Sequence, residues 1–338
     1  SGLPEGASYI GVMQDFNGDH KPDLMITQEF GEEVLRNQLY QNKGVASGES
    51  WVTLENVTDG AGIADPRAAM GAALFDLDTD GLPEIYLTNL QIEGGEVMLS
   101  NQGNMTFANT TDVFGVDGTA VDFDSAFYRT VSWAALALDV DNDGDDDLYT
   151  AYGKMPIGDS PKTCAPTGFN GVCGPQPNVL FQNESNQRFT MLEGTGAEDH
   201  ASSHGAAAGD INGDGCLDLV VVNQNAPSRL LLNTCSSGGH SLQVALEGTV
   251  SNRDAVGAMV TVEAGGTVQN KFVTAGSTSV HSAQPFVLHF GLGDATQVDR
   301  VLITWPNGVS EAFENLALDA ELPTTVRIRE GGGIVHEP

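Results

Sequence analysis

The chain has 338 residues with 46 acidic and 14 basic side chains, a net charge of −32 and a pI near 4.1. Its apolar content of 40% is enough for a folded core, and its 41 glycines point to many tight turns rather than long helices. The acidity excludes a direct nucleic-acid or anionic-membrane binder, because there is no basic patch to release phosphate counterions, and it favours divalent cations, basic partners or simply solubility.

No run of 18 apolar residues is present, so no membrane span is expected. No charged and apolar leader stands at Ser1, a start that a cleaved signal would also leave. Asn56, Asn104, Asn109 and Asn183 head Asn-x-Ser/Thr sequons, weak support for secretion.

A nine-residue pattern occurs four times, starting at Asp15, Asp76, Asp139 and Asp210, with spacings of 61, 63 and 71 residues. Each copy follows a small or apolar stretch and precedes another: Tyr9 to Met13 and Leu24 to Ile26 flank the first, Gly205 to Gly209 and Leu219 to Val222 the last. A third segment then ends in Asn42, Asn101, Asn183 or Asn233, and the first three copies add a fourth segment near Trp51, Phe107 and Phe189. Three or four short strands per repeat predict β-propeller blades, with the Ala- and Gly-rich strand innermost. Residues 1–235 spread over seven blades would leave about 34 each, below the roughly 40–45 of compact blades. Four blades fit, five is the upper reading, and seven would need material outside the chain; an array without ring closure is the alternative. The third copy carries an insertion near Lys154 to Pro177, expected as a surface loop.

Positions one, three, five and nine of each copy bear oxygen side chains. They are Asp15, Asn17, Asp19 and Asp23; Asp76, Asp78, Asp80 and Glu84; Asp139, Asp141, Asp143 and Asp147; and Asp210, Asn212, Asp214 and Asp218. Position seven offers its backbone carbonyl, from Lys21, Leu82, Asp145 and Cys216. Alternate spacing turns these hard oxygens toward one centre, which suits Ca²⁺ with its 6–8 flexible ligands better than Mg²⁺. The expectation is about four calcium ions, structural rather than catalytic. Gly81, Gly144 and Gly215 supply a left-handed turn at position six, where His20 in the first copy is more strained.

The loops and strands over residues 7–235 resemble the FG-GAP/VCBS repeats of integrin-α-like propellers. After Cys235 the Ser236–Gly239 stretch reads as a hinge, and residues 241–330 hold alternating segments separated by Gly and Asn turns, the pattern of a small β-sandwich. Ser251-Asn252-Arg253, Val256-Gly257-Ala258, His289-Phe290-Gly291-Leu292-Gly293 and Val301 through Gly308 resemble the ASPIC/UnbV domain, although Met259 stands where that family usually has a basic residue. The order of the two parts is similar to that in the cartilage acidic protein 1 family and its bacterial relatives. That resemblance implies a secreted, calcium-binding propeller.

The chain therefore reads as all-β: a propeller-like array of four calcium-loop repeats over 1–235, then a β domain over 241–330. Four cysteines allow three pairings, and closeness within the insertion favours Cys164 with Cys173, leaving Cys216 with Cys235. Glu198, Asp199, His200 and His204 read as a polar inter-blade loop before they read as a Zn²⁺ or Ni²⁺ site. Asp122, Asp124, Tyr128 and Arg129 are weaker candidates for a partner surface. There is no G-x-S-x-G, H-E-x-x-H, P-loop or C-x-x-C, so an enzyme is not expected. The function expected is an extracellular calcium-binding scaffold or adhesion protein with a glycan or protein partner. The alternatives are a self-assembling subunit or, last, a polysaccharide-processing enzyme.

Overall fold

The computed structural model describes residues 7–29, 35–63, 69–89, 95–116, 131–153, 177–185, 188–224, 226–236, 238–275, 278–318 and 324–335. Cys164, Cys173 and the residues from Asp122 to Arg129 lie outside them. Within them the chain is almost entirely β.

Four antiparallel meanders come first. The strands β1 (Ala7–Gln14), β2 (Asp23–Glu29), β3 (Gln38–Val45) and β4 (Val52–Asn56) pair in sequence order. The second sheet is β5 (Ala72–Phe75), β6 (Glu84–Leu87), β7 (Val97–Asn101) and β8 (Phe107–Asn109). The third is β9 (Ser132–Leu138), β10 (Asp147–Tyr152), β11 (Val179–Asn183) and β12 (Phe189–Leu192). The fourth has three strands, β13 (Ser202–Gly209), β14 (Asp218–Gln224) and β15 (Arg229–Leu231). Each carboxylate loop joins the first strand of its sheet to the second, where the sequence places it.

Apolar side chains on the blade faces bind neighbouring sheets together. Val12, Met25 and Leu39 pack with Ile85, Val97 and Leu99; Phe75 and Tyr86 with Leu148 and Phe181; Leu136 and Tyr149 with Ala206 and Val221. Small residues at the first strands allow close approach: a Cβ added to Gly71, just before β5, would lie 2.2 Å from the Thr278 carbonyl oxygen and 2.3 Å from that of Trp133.

The outer strands of the first two blades end in one-turn helices, α1 (Thr58–Ala61) and α2 (Thr111–Phe114). Thr58 and Thr111 are buried, and their hydroxyls accept the Leu39 and Met98 amides at 3.0 and 2.9 Å. Asn56 and Asn109 accept the amides of the same threonines. Two of the Asn-x-Thr sequons are thus turn devices of the blade.

Residues beyond the Ser/Gly link form two further sheets. One runs β19 (Leu288–Gly293), β16 (His240–Glu247), β22 (Thr324–Arg329), β23 (Gly333–Val335); the other runs β18 (Thr267–Phe272), β17 (Met259–Ala264), β20 (Gln297–Thr304), β21 (Ser310–Ala317). Their inner faces share one core that includes Val244, Val260, Phe290, Ile303 and Trp305. The pair β16–β22 is parallel. Each sheet has four strands, so the alternation over residues 241–330 resolves into eight strands, with β23 reaching past residue 330 to Val335.

This domain rests on the loop ends of the array, so the Ser/Gly link is not its sole attachment. The segment after β18 crosses the inner strands: Met13 donates to the Ala275 carbonyl at 2.8 Å, Ala135 to that of Thr278 at 3.2 Å, and Ala206 to Ser282 Oγ at 3.1 Å. A cavity of about 340 Å³ lies between the two parts, walled in part by Ala73, Ala135, Ala137 and Ala208.

Candidate metal centres

The four loops share one hydrogen-bond plan. The position-nine carboxylate takes the position-two amide on one oxygen and, on the other, the amide of the asparagine in or just after the third strand. The distances are 3.1 and 2.8 Å at Asp23, 2.8 and 3.2 Å at Glu84, 3.0 and 2.8 Å at Asp147, and 3.0 and 2.8 Å at Asp218. That side chain clips the loop to the sheet. Glu84 makes the same clip as the three aspartates.

The position-five carboxylate accepts the position-seven amide in every loop, from Lys21, Leu82, Asp145 and Cys216 at 2.7–3.0 Å. The position-six amide reaches position one, from His20, Gly81, Gly144 and Gly215 at 2.7–3.1 Å. Position six is left-handed throughout, with φ of 61° at His20 against 82°, 101° and 89° at the glycines. Position four is left-handed as well, at Gly18, Thr79, Asn142 and Gly213.

The loops differ at the remaining oxygen of position one. Asp15 Oδ1 accepts the amides of Asn17, Gly18 and Asp19, and Asp210 Oδ1 those of Gly213 and Asp214. Asp76 Oδ1 and Asp139 Oδ1 are buried with no hydrogen-bond partner, as is Asp141 Oδ1. Oxygens of Asp76, Asp78 and Glu84 lie within 4.8 Å of one another, and so do those of Asp139, Asp141 and Asp147. Orphaned buried anions are costly unless a cation meets them, and hard oxygens converging in a curled loop fit Ca²⁺. A third close group, Asp214 with Cys216 and Cys235, is a carboxylate beside a disulfide, for the two sulfurs are bonded to each other.

Burial sets the electrostatics. It raises the carboxyl pKa of Asp76 from 3.8 to about 6, of Glu84 from 4.5 to about 8, of Asp139 to about 7 and of Asp147 to about 8, with neighbouring acids adding to the shift. Asp23 and Asp143 rise to about 6 for the same first reason. A cation would hold these groups ionised.

The disulfide joins Cys216 to Cys235 with the Cα atoms 5.8 Å apart, tying the fourth loop to the end of its blade. Near the opposite ends of the strands, Asp199 is buried in an ion pair with Arg229 and accepts from Asn223, while His204 stacks on Trp133 with centroids 4.2 Å apart. Asp199 is thus held within the fourth blade, and His204, which lies in β13 rather than in the loop, joins that blade to Trp133 of the third.

Among known proteins, a model of the FG-GAP-like repeat matches residues 15–87 and one of the FG-GAP repeat matches 204–238. A model of ASPIC and UnbV matches residues 248–334. No curated protein matches the chain. No helix among the described residues is long and apolar enough to cross a membrane. With its loops, meanders and sandwich, the chain is an FG-GAP repeat protein with a propeller-like fold and a C-terminal UnbV domain.

Proposed function

We propose that the protein is an extracellular scaffold whose repeat array is stabilised by calcium and which presents its surface to a glycan or protein partner. The observation that carries the reading is the orphaned pair Asp76 Oδ1 and Asp139 Oδ1, each buried inside a ring of carboxylates. Asp15, Asn17, Asp19 and Asp23, and Asp210, Asn212, Asp214 and Asp218, would hold two further ions once their backbone amides release position one. The Cys216–Cys235 bond agrees with an oxidising compartment. For a partner, the first blade offers Trp51, 81% exposed, beside Val45 and Val52, which pair across β3 and β4.

Calorimetric titration of the chelated protein with calcium, followed by a glycan and protein array screen in millimolar calcium, tests the reading. Heat of binding with a higher melting temperature is expected, and Trp51→Ala should lose any partner found. Failure to bind calcium after verified removal of metal would sink it.

A further inference from the structure

We propose that the C-terminal domain completes the cation sites of the array, so that cation binding and seating of the domain are one linked equilibrium. The inference rests on the calcium reading above.

Three of the four position-one carboxylates are met by this domain. Asn270 Nδ2 donates to Asp76 Oδ2 at 2.8 Å, leaving Oδ1 as the orphaned oxygen. Gln243 Nε2 donates to Asp210 Oδ2 at 3.1 Å. Gly291 lies so close to the third loop that an added Cβ would stand 2.0 Å from Asp139 Oδ2 and 2.5 Å from the Asn142 Cα. The asparagine and glutamine therefore play toward these carboxylates the part that outer-shell partners play around metal ligands: they fix the orientation of the oxygen that binds.

The coupling follows from shared atoms. An Asp76 carboxylate oriented by Asn270 loses less freedom on meeting a cation. A loop held open by a cation keeps Asp76 Oδ2 where Asn270 can reach it. Each event favours the other by the same factor, as linkage requires. The domain's seat extends from these contacts to the inner strands, where the Ala135 and Ala206 amides donate to Thr278 and Ser282. Those two amides report seating at a distance from the loops.

The test uses the full chain and calcium alone, with Asn270→Ala and Gln243→Ala. Calorimetry gives affinity, and hydrogen exchange by mass spectrometry reads the peptides holding Ala135 and Ala206. Asn270→Ala should weaken the second site roughly tenfold. Calcium should slow exchange at both amides in the wild type and slow it less in the variants. A purely structural role for Asn270 would lower stability without changing the response of exchange to calcium, and that result overturns the proposal. Gln243→Ala, on another strand and another loop, carries the test should Asn270→Ala not fold. Should the wild type bind calcium while both variants bind it equally well and exchange ignores it, only this inference fails. Should the wild type bind none, the calcium reading fails with it.

Discussion

Asn101 donates its side-chain amide to the Phe16 carbonyl at 3.0 Å, joining the third strand of the second repeat to the carboxylate loop of the first. Asn233 does the same for the fourth and third repeats, reaching the Val140 carbonyl at 2.7 Å. These bonds make a loop's shape depend on the next blade.

Asn101 also donates to the Pro83 carbonyl, and its Oδ1 accepts the Gly103 amide. Asn101→Ala should therefore cost about 3 kcal/mol, since buried carbonyls lose their donor together with the side chain's own bonds. Urea denaturation in saturating calcium gives the number; a cost below about 0.5 kcal/mol would contradict the inter-blade role.

The inequality among loops predicts two classes of ion. The second and third sites, with orphaned oxygens, should bind more tightly than the first and fourth, where backbone amides must first let go. Asp139→Ala should remove one tight site, and Asp15→Ala should leave the tight class intact. Calorimetric isotherms of the two variants decide this. At ten times its dissociation constant each ion adds about 1.4 kcal/mol of stability.

Acid should act in opposite directions with and without metal. In the cation-free fold, burial raises Asp76, Glu84, Asp139 and Asp147 above their ordinary values of 3.8 or 4.5, to between about 6 and 8. The folded chain then binds more protons than the unfolded chain across that interval, so stability from these groups falls as pH rises from about 4 to 8. Calcium binds their ionised forms, so the increment it adds should grow over the same interval. Melting curves at pH 5 and 8, with chelator and with calcium, measure both slopes. A calcium increment larger at pH 5 would contradict the assignment.

Replacing Cys216 and Cys235 by serine opens a loop spanning 19 residues. The chain-entropy relation puts the loss at about 3 kcal/mol. Peptide mapping without reduction should recover the pair, and thermal melts of the double variant should show the loss.

Much of the candidate site was legible because it is written four times: oxygens at alternate positions, flanked each time by the same strands, have one economical explanation. The shared left-handed turn at position four was not legible, since Gly18, Thr79, Asn142 and Gly213 have no chemistry in common. Nor was the difference among loops, which depends on where a second oxygen points. Seating of the C-terminal domain was hidden for another reason. Asn270 and Asp76 are 194 residues apart, and an isolated amide in a strand looks like surface. The polar, half-exposed β21 escaped notice because its alternation carries little apolar contrast.

The Met13–Ala275 bridge has a consequence for biosynthesis. A ribosome releases the first repeat long before the segment that crosses its inner strand, so a nascent array must wait with those amides open to water. Contacts between such distant parts of the chain are costly to close and slow to form. A polypeptide stalled before residue 275 should therefore expose its inner strands to chaperones and proteases, and maturation of the array should be timed by the arrival of the UnbV domain.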